Sequence, residues 1–106
     1  MAVTHFWIND EVVPIADAKV SVLDHGFTVA DGVFETLLVN DGKVFAIDRH
    51  LARLAKSASG LGIAMPDVSA INKGISQVLS SNPKVDFGRL RITVTSGAGP
   101  LGSDRT

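Results

Sequence analysis

A β-prone run from Val33 to Val39 meets Asn40-Asp41-Gly42 and resumes from Lys43 to Ala46. Asp-Gly between two apolar runs favours a tight antiparallel hairpin, because both residues accept positive φ. The pleat then fixes which side chains share a face. Phe34, Thr36, Leu38 and Asn40 lie on one side, and Val33, Glu35, Leu37 and Val39 on the other. Glu35 is the oddity, a carboxylate on an otherwise apolar face; a surface position at a sheet edge is its plain reading.

The remaining elements follow from local signals. His5 to Ile8 and Glu11 to Val13 flank Asn9-Asp10, a second hairpin cue, and Pro14 has no N–H with which to prolong the pairing. Val20 to Leu23 is expected to be a short extended piece leading into Asp24-His25-Gly26. Asp48 is the expected N-cap of a helix on which Leu51, Leu54, Ala55, Ala58 and Leu61 recur at helical spacing. Gly60 and Gly62 offer left-handed capping positions. A second helix is expected from about Pro66-Asp67, with Val68, Ile71, Ile75, Val78 and Leu79 on one face, and Asn82-Pro83 stops it. Gly74 inside that helix costs about 1 kcal/mol relative to alanine. A last strand is expected from about Gly88 to Thr95, followed by a mobile glycine-rich loop from Ser96 to Ser103. This order predicts an α+β fold, a mostly antiparallel sheet with two helices on one face.

Length allows one domain over the 106 residues. The absence of cysteine excludes a disulfide framework, a thiolate zinc site and a cysteine nucleophile. Ten Lys+Arg against eleven Asp+Glu leave no basic excess for nucleic-acid phosphates. Apolar runs fall short of a membrane span, and the N-terminus lacks a signal-peptide pattern. A cytoplasmic chain without nucleic-acid or membrane partners is expected. Its glycine-rich end, with no closing element, points to a domain incomplete at its C-terminal end.

Few residues carry chemistry. Arg53 stands near the start of the first helix, either as a solvated arginine or as an anion site, since a guanidinium fork matches phosphate and carboxylate oxygens. Arg89 and Arg91 alternate along the last strand and project to one face, which suits either edge protection or an anionic substrate. GAGPLG lacks the lysine and the Ser/Thr of a nucleotide P-loop. His5, His25 and His50 show no metal-ligand spacing, and no metal site is expected.

Four linked motifs go further: LDHGF (Leu23 to Phe27), ADGVFET (Ala30 to Thr36), DGKVF (Asp41 to Phe45) and RHLARL (Arg49 to Leu54). In order and spacing, residues 22–63 resemble the core of the small N-terminal domain of class IV aminotransferases. These are fold-type IV pyridoxal-phosphate enzymes, and they include branched-chain and D-amino-acid aminotransferases and aminodeoxychorismate lyase. The likeness continues through RLRITVTSGAGPLG and covers nearly the whole chain. It implies pyridoxal 5'-phosphate as cofactor and a homodimer. The implied substrates are an amino acid and a 2-oxo acid, or aminodeoxychorismate. Carried over by position, it makes Arg53 the ligand of the cofactor phosphate. It puts Phe34 and Glu35 on the substrate side, and Arg91 at a basic strand position supporting an anionic group.

Departures from the family pattern matter too. Val29-Ala30 replace the usual Tyr-Gly before Asp31, which alters the implied pocket wall. Ser96 stands where D-amino-acid enzymes carry a carboxylate-binding arginine, so a D-amino-acid preference loses that anchor. DGVFET sits closer to the lyase than to the TSVFEG of branched-chain enzymes. None of Lys19, Lys43, Lys56, Lys73 and Lys84 matches the family's cofactor-linking lysine. That lysine, and the glutamate facing the pyridine nitrogen, are implied to belong to a larger domain beyond residue 106. The cofactor acts as an electron sink once its aldehyde is condensed with an amine, so this chain alone is expected to be inactive, with no catalytic residue of its own. Three readings stand: part of an aminotransferase, part of the lyase, or a non-catalytic binding or dimerisation module.

Overall fold

The computed structural model describes residues 3–105. Along the chain these form β1 (His5–Ile8), β2 (Glu11–Pro14), a 3-10 turn (Ile15–Asp17), α1 (His25–Thr28), β3 (Gly32–Asn40), β4 (Lys43–Val44), α2 (Ile47–Gly60), α3 (Val68–Ser80) and β5 (Phe87–Thr95). The α+β class is as expected, but the strands form two sheets, β1-β2 and β4-β3-β5. The chain divides into two compact units, and β3 and β5 each run from one into the other.

The first unit comprises Met1–Lys19, Leu38–Phe45 and Pro66–Gly88. Its β1-β2 hairpin turns at Asn9 (φ 48°) and Asp10 (φ 72°), the paired positive values that a two-residue turn demands. The other turn, Asp41-Gly42, has the same character and sets Val39 opposite Val44 and Asn40 opposite Lys43. β4 itself ends at Val44, shorter than the expected Lys43 to Ala46, with the Phe45 N–H donating once more to the Leu38 carbonyl at 2.9 Å. The N–H groups of Asp41 and Gly42 are taken up by the carbonyls of Asp86 and Val85, at 2.7 and 2.8 Å. Asp67 caps α3 by accepting from the Ser69 N–H. Asn82 fastens the end of that helix to the hairpin: its Oδ1 accepts from the N–H of Thr4 and His5, and its Nδ2 donates to the carbonyls of His5 and Val78. Gly74 permits the closest approach between them, because a Cβ there would lie 2.5 Å from the Trp7 ring.

The second unit comprises Val20–Leu37, Ala46–Met65 and Arg89–Thr106. Val20 to Leu23 is not a strand. Ser21 bends it into a turn, its carbonyl accepting from Asp24 N–H and its hydroxyl from Leu23 N–H. Asp24 then caps the single turn α1 through the Gly26 N–H. Helix α2 begins two residues earlier than an Asp48 cap would allow: Ala46, at φ 58°, holds the cap position and Asp48 lies in the first turn, where its charge suits the helix dipole. Leu51, Leu54 and Ala58 form its buried stripe, and Leu37, Ile63 and Val94 are buried in the same unit. Gly62, at φ 67°, ends α2 in a Schellman turn, with Ile63 N–H on the Ala58 carbonyl and Gly62 N–H on that of Ser59. No helix among the described residues is long and apolar enough to cross a membrane.

Gly74→Ala separates helix propensity from packing. Propensity alone would stabilise the helix by about 1 kcal/mol, whereas forcing a Cβ against Trp7 costs about 1–3 kcal/mol. A lower urea midpoint is expected; a higher one would contradict the Trp7 contact.

Candidate functional site

Alternation along β3 turns Glu35 to the buried side with Leu37 and Val39, and the carboxylate is 6% exposed. A charge in that position needs partners, and α2 supplies two of them. His50 and Arg53 lie three residues apart, on one helix face. Arg53 Nε donates to Glu35 Oε2 at 2.9 Å and Oε1 at 3.1 Å, and its Nη2 donates to Oε1 at 2.8 Å. His50 Nδ1 donates to Oε1 at 2.6 Å. The Arg53 hydrogen bonds, with His50 adding to them, hold the Glu35 carboxyl below its ordinary pKa although burial pushes the other way. Arg53 itself is 66% exposed. Among the described residues its Nη1 makes no hydrogen bond, so a fixed, fully charged guanidinium presents an open N–H edge to solvent.

Phe34 and Arg91 make a second pair. Phe34 projects from the opposite face of β3, 53% exposed, and the Arg91 guanidinium carbon lies 4.0 Å from the centre of its ring. Arg91 Nε also donates to Thr93 Oγ1 at 3.2 Å. Stacking over an aromatic face holds a guanidinium without consuming its N–H edges.

A third cluster ties down the segment after β5. Arg105 grips Asp31 with two parallel hydrogen bonds, Nε to Oδ2 at 2.8 Å and Nη2 to Oδ1 at 2.9 Å, while Ser96 Oγ donates to Oδ2 at 2.6 Å. Arg105 also donates to the carbonyls of Leu61 and Gly62 past the end of α2. These bonds, led by Arg105, lower the Asp31 pKa to about 2. His25, buried in α1, donates from Nε2 to the Pro100 carbonyl at 2.7 Å, and Asp24 bridges to Ala98. The glycine-rich run expected to be mobile is thus fastened at several points.

The four residues singled out from sequence therefore fall into two pairs, Glu35 with Arg53 and Phe34 with Arg91, on opposite faces of β3. Glu35 faces away from Phe34, and its carboxylate is taken up by Arg53 and His50. Sequence reasoning overlooked His50, although its three-residue spacing from Arg53 within RHLARL was a usable signal. It also overlooked Asp31 and Arg105, which are 74 residues apart in sequence and carry no local signal.

The family model for amino-transferase class IV matches residues 32–106. The chain is 39% identical over 101 residues to the "Putative branched-chain-amino-acid aminotransferase" of Methanocaldococcus jannaschii, covering 92% of this chain and 34% of that protein. It is 34% identical over 98 residues to a D-alanine aminotransferase of Staphylococcus epidermidis, again covering 92% and 34%. A solved branched-chain amino acid aminotransferase from T.th., complexed with N-(5'-phosphopyridoxyl)-L-glutamate, matches with a TM-score of 0.82 at 27% identity, over 96% of this chain and 36% of that one. The chain spans about a third of the length of these relatives.

Both buried or bridged carboxylates predict acid sensitivity. Folding lowers each pKa, so each pair adds stability above the carboxyl's ordinary value and loses it as pH falls through the folded value. Glu35→Gln and Asp31→Asn should be less stable than the parent at neutral pH. The gap should close below pH 4.5 for Glu35 and between pH 3.8 and about 2 for Asp31, as followed by acid-dependent urea unfolding. A gap that does not change with pH would contradict the ion pairs.

Proposed function

This chain belongs to the class IV aminotransferases, and we propose that it forms the phosphate-gripping and substrate-facing part of a pyridoxal 5'-phosphate-dependent enzyme. The reaction we assign is amino transfer between an amino acid and a 2-oxo acid. The observation that carries this reading is the Glu35–Arg53–His50 arrangement on β3 and α2. A phosphate monoester needs a permanent cation with exposed N–H donors, and Arg53 offers one whose orientation is fixed from behind by a buried carboxylate. The donor set therefore fits the cofactor's anionic tail.

Bound there, the cofactor supplies an electron sink for the bonds of the amino acid's α-carbon. This chain's residues bind and orient. Arg53 holds the phosphate, and Glu35 and His50 hold Arg53. Phe34 walls the substrate side, and Arg91, stacked on it, supports an anionic group of the substrate. The proton-moving lysine and the group facing the pyridine nitrogen are proposed to lie in a larger domain of the same protein, joined as a cytoplasmic homodimer. Names of the curated relatives favour transfer. Pyruvate elimination from aminodeoxychorismate is the second reading, favoured by the DGVFET run from Asp31 to Thr36. A non-catalytic module would leave the Arg53 edge without a ligand.

In the full-length polypeptide, Arg53→Ala should weaken pyridoxal-phosphate affinity by about tenfold or more, with Arg53→Lys recovering part of it, since a charged hydrogen bond is worth about 1.5–3 kcal/mol. Cofactor titration followed by absorbance measures this. Unchanged affinity would remove Arg53 from the site. Borohydride reduction and mapping of the labelled lysine distinguishes the enzyme from the binding module, and assaying released pyruvate distinguishes elimination from transfer.

A further inference from the structure

Among the described residues, polar side chains tie α2 to β3 at two places. The first is the Glu35 carboxylate, which takes up Arg53 and His50. The second lies at the far end of the helix. Asp31, the residue before β3, is gripped by Arg105, which also donates from Nη2 to the Leu61 carbonyl at 2.7 Å and from Nη1 to that of Gly62 at 2.8 Å. Every nitrogen of this guanidinium is engaged, so Arg105, unlike Arg53, has no open edge for a ligand. Glu35 lies four residues after Asp31, about 13 Å along a strand. Leu61 lies eight residues after Arg53, about 12 Å along a helix. The spans match, so α2 runs antiparallel to the start of β3 with a polar tie at each end.

A helix tied at one point can pivot about it, whereas a binding group has to be held to about 0.5 Å. A second tie about 12 Å along the helix removes that freedom. We infer that Asp31 and Arg105 are positioning residues: by clamping the end of α2 to the start of β3, they hold the Arg53 guanidinium at the angle at which it meets the cofactor phosphate. The inference rests on the assignment of Arg53 to that phosphate. The competing account makes Arg105 a plain cap on the carbonyls past the end of α2, contributing stability alone. A cap needs only those two carbonyl bonds. The two-pronged grip on Asp31, whose Oδ2 also accepts from Ser96 Oγ at 2.6 Å, serves the strand instead.

The test uses the full-length polypeptide and compares pyridoxal 5'-phosphate with pyridoxal, which lacks the phosphate, by absorbance titration. In Arg105→Ala the phosphorylated compound should bind about fivefold more weakly, and pyridoxal should bind as before. Added to Arg53→Ala, the same change should cost nothing further, since no guanidinium is left to aim. Arg105→Lys keeps the charge but not the fork, so it should lie between the parent and Arg105→Ala; it carries the comparison if the alanine variant does not fold. Without cofactor, hydrogen exchange at the Leu61, Gly62 and Ile63 amides should quicken in Arg105→Ala, and unchanged exchange would overturn the clamp. Suppose Arg53→Ala weakens only the phosphorylated compound, while Arg105→Ala changes neither or weakens both equally. Arg105 is then a cap, the positioning role falls, and the reading of Arg53 stands. If Arg53→Ala changes neither compound, the phosphate assignment falls and the positioning role falls with it.

Discussion

A single buried carboxylate organises what this chain offers a ligand. Glu35 sits on the apolar face of β3, where an unpaired charge is strongly disfavoured, and its oxygens are met by Arg53 and His50 from α2. The pairing restricts α2 to the register that presents both side chains to the strand. It also determines the outward aim of the guanidinium, which an unsupported arginine on a helix surface would not keep. Fold and the proposed anion site therefore share one interaction: the bonds that allow Glu35 to be buried also fix the Arg53 guanidinium.

The same strand serves a second purpose through its other face. Phe34, adjacent to Glu35 in sequence, points away from it and supports Arg91 from β5. Two neighbouring residues thus prepare two guanidiniums by different physics, one by an ion pair and one by an aromatic face. In both, part of the guanidinium edge stays open, as recognition of phosphate or carboxylate requires. Around them the Asp31–Arg105 clasp joins the start of β3, the end of α2 and the segment following β5, so the loop beyond β5 is fixed by polar bonds and not by burial.

Much of this was legible in the sequence. Period-two alternation exposed Glu35 as out of place, and the Asn9-Asp10 and Asp41-Gly42 turns fixed both hairpins because their left-handed backbone needs residues of that kind. Motif order singled out Arg53, which the structure pairs with Glu35. What escaped is informative. Val20 to Leu23 has β-prone side chains, yet Ser21 closes a turn there, so local hydrogen bonding outweighed propensity. Gly74 looked like a weak point in its helix and is the seat of Trp7, a partner far away in sequence. Asp48 was the better cap by residue type, but the backbone leaving β4 put Ala46 in that position. Arg105 acts through Asp31, a partner that no spacing rule connects to it.

The central claim is that the guanidinium of residue 53 holds a phosphate while a buried carboxylate steadies it. A crystal structure of the full-length polypeptide with pyridoxal 5'-phosphate bound tests it most directly. The account predicts Arg53 nitrogens within hydrogen-bonding distance of the phosphate oxygens, with the Glu35 and His50 bonds intact behind them. A phosphate held elsewhere, with Arg53 turned to bulk solvent, would contradict it.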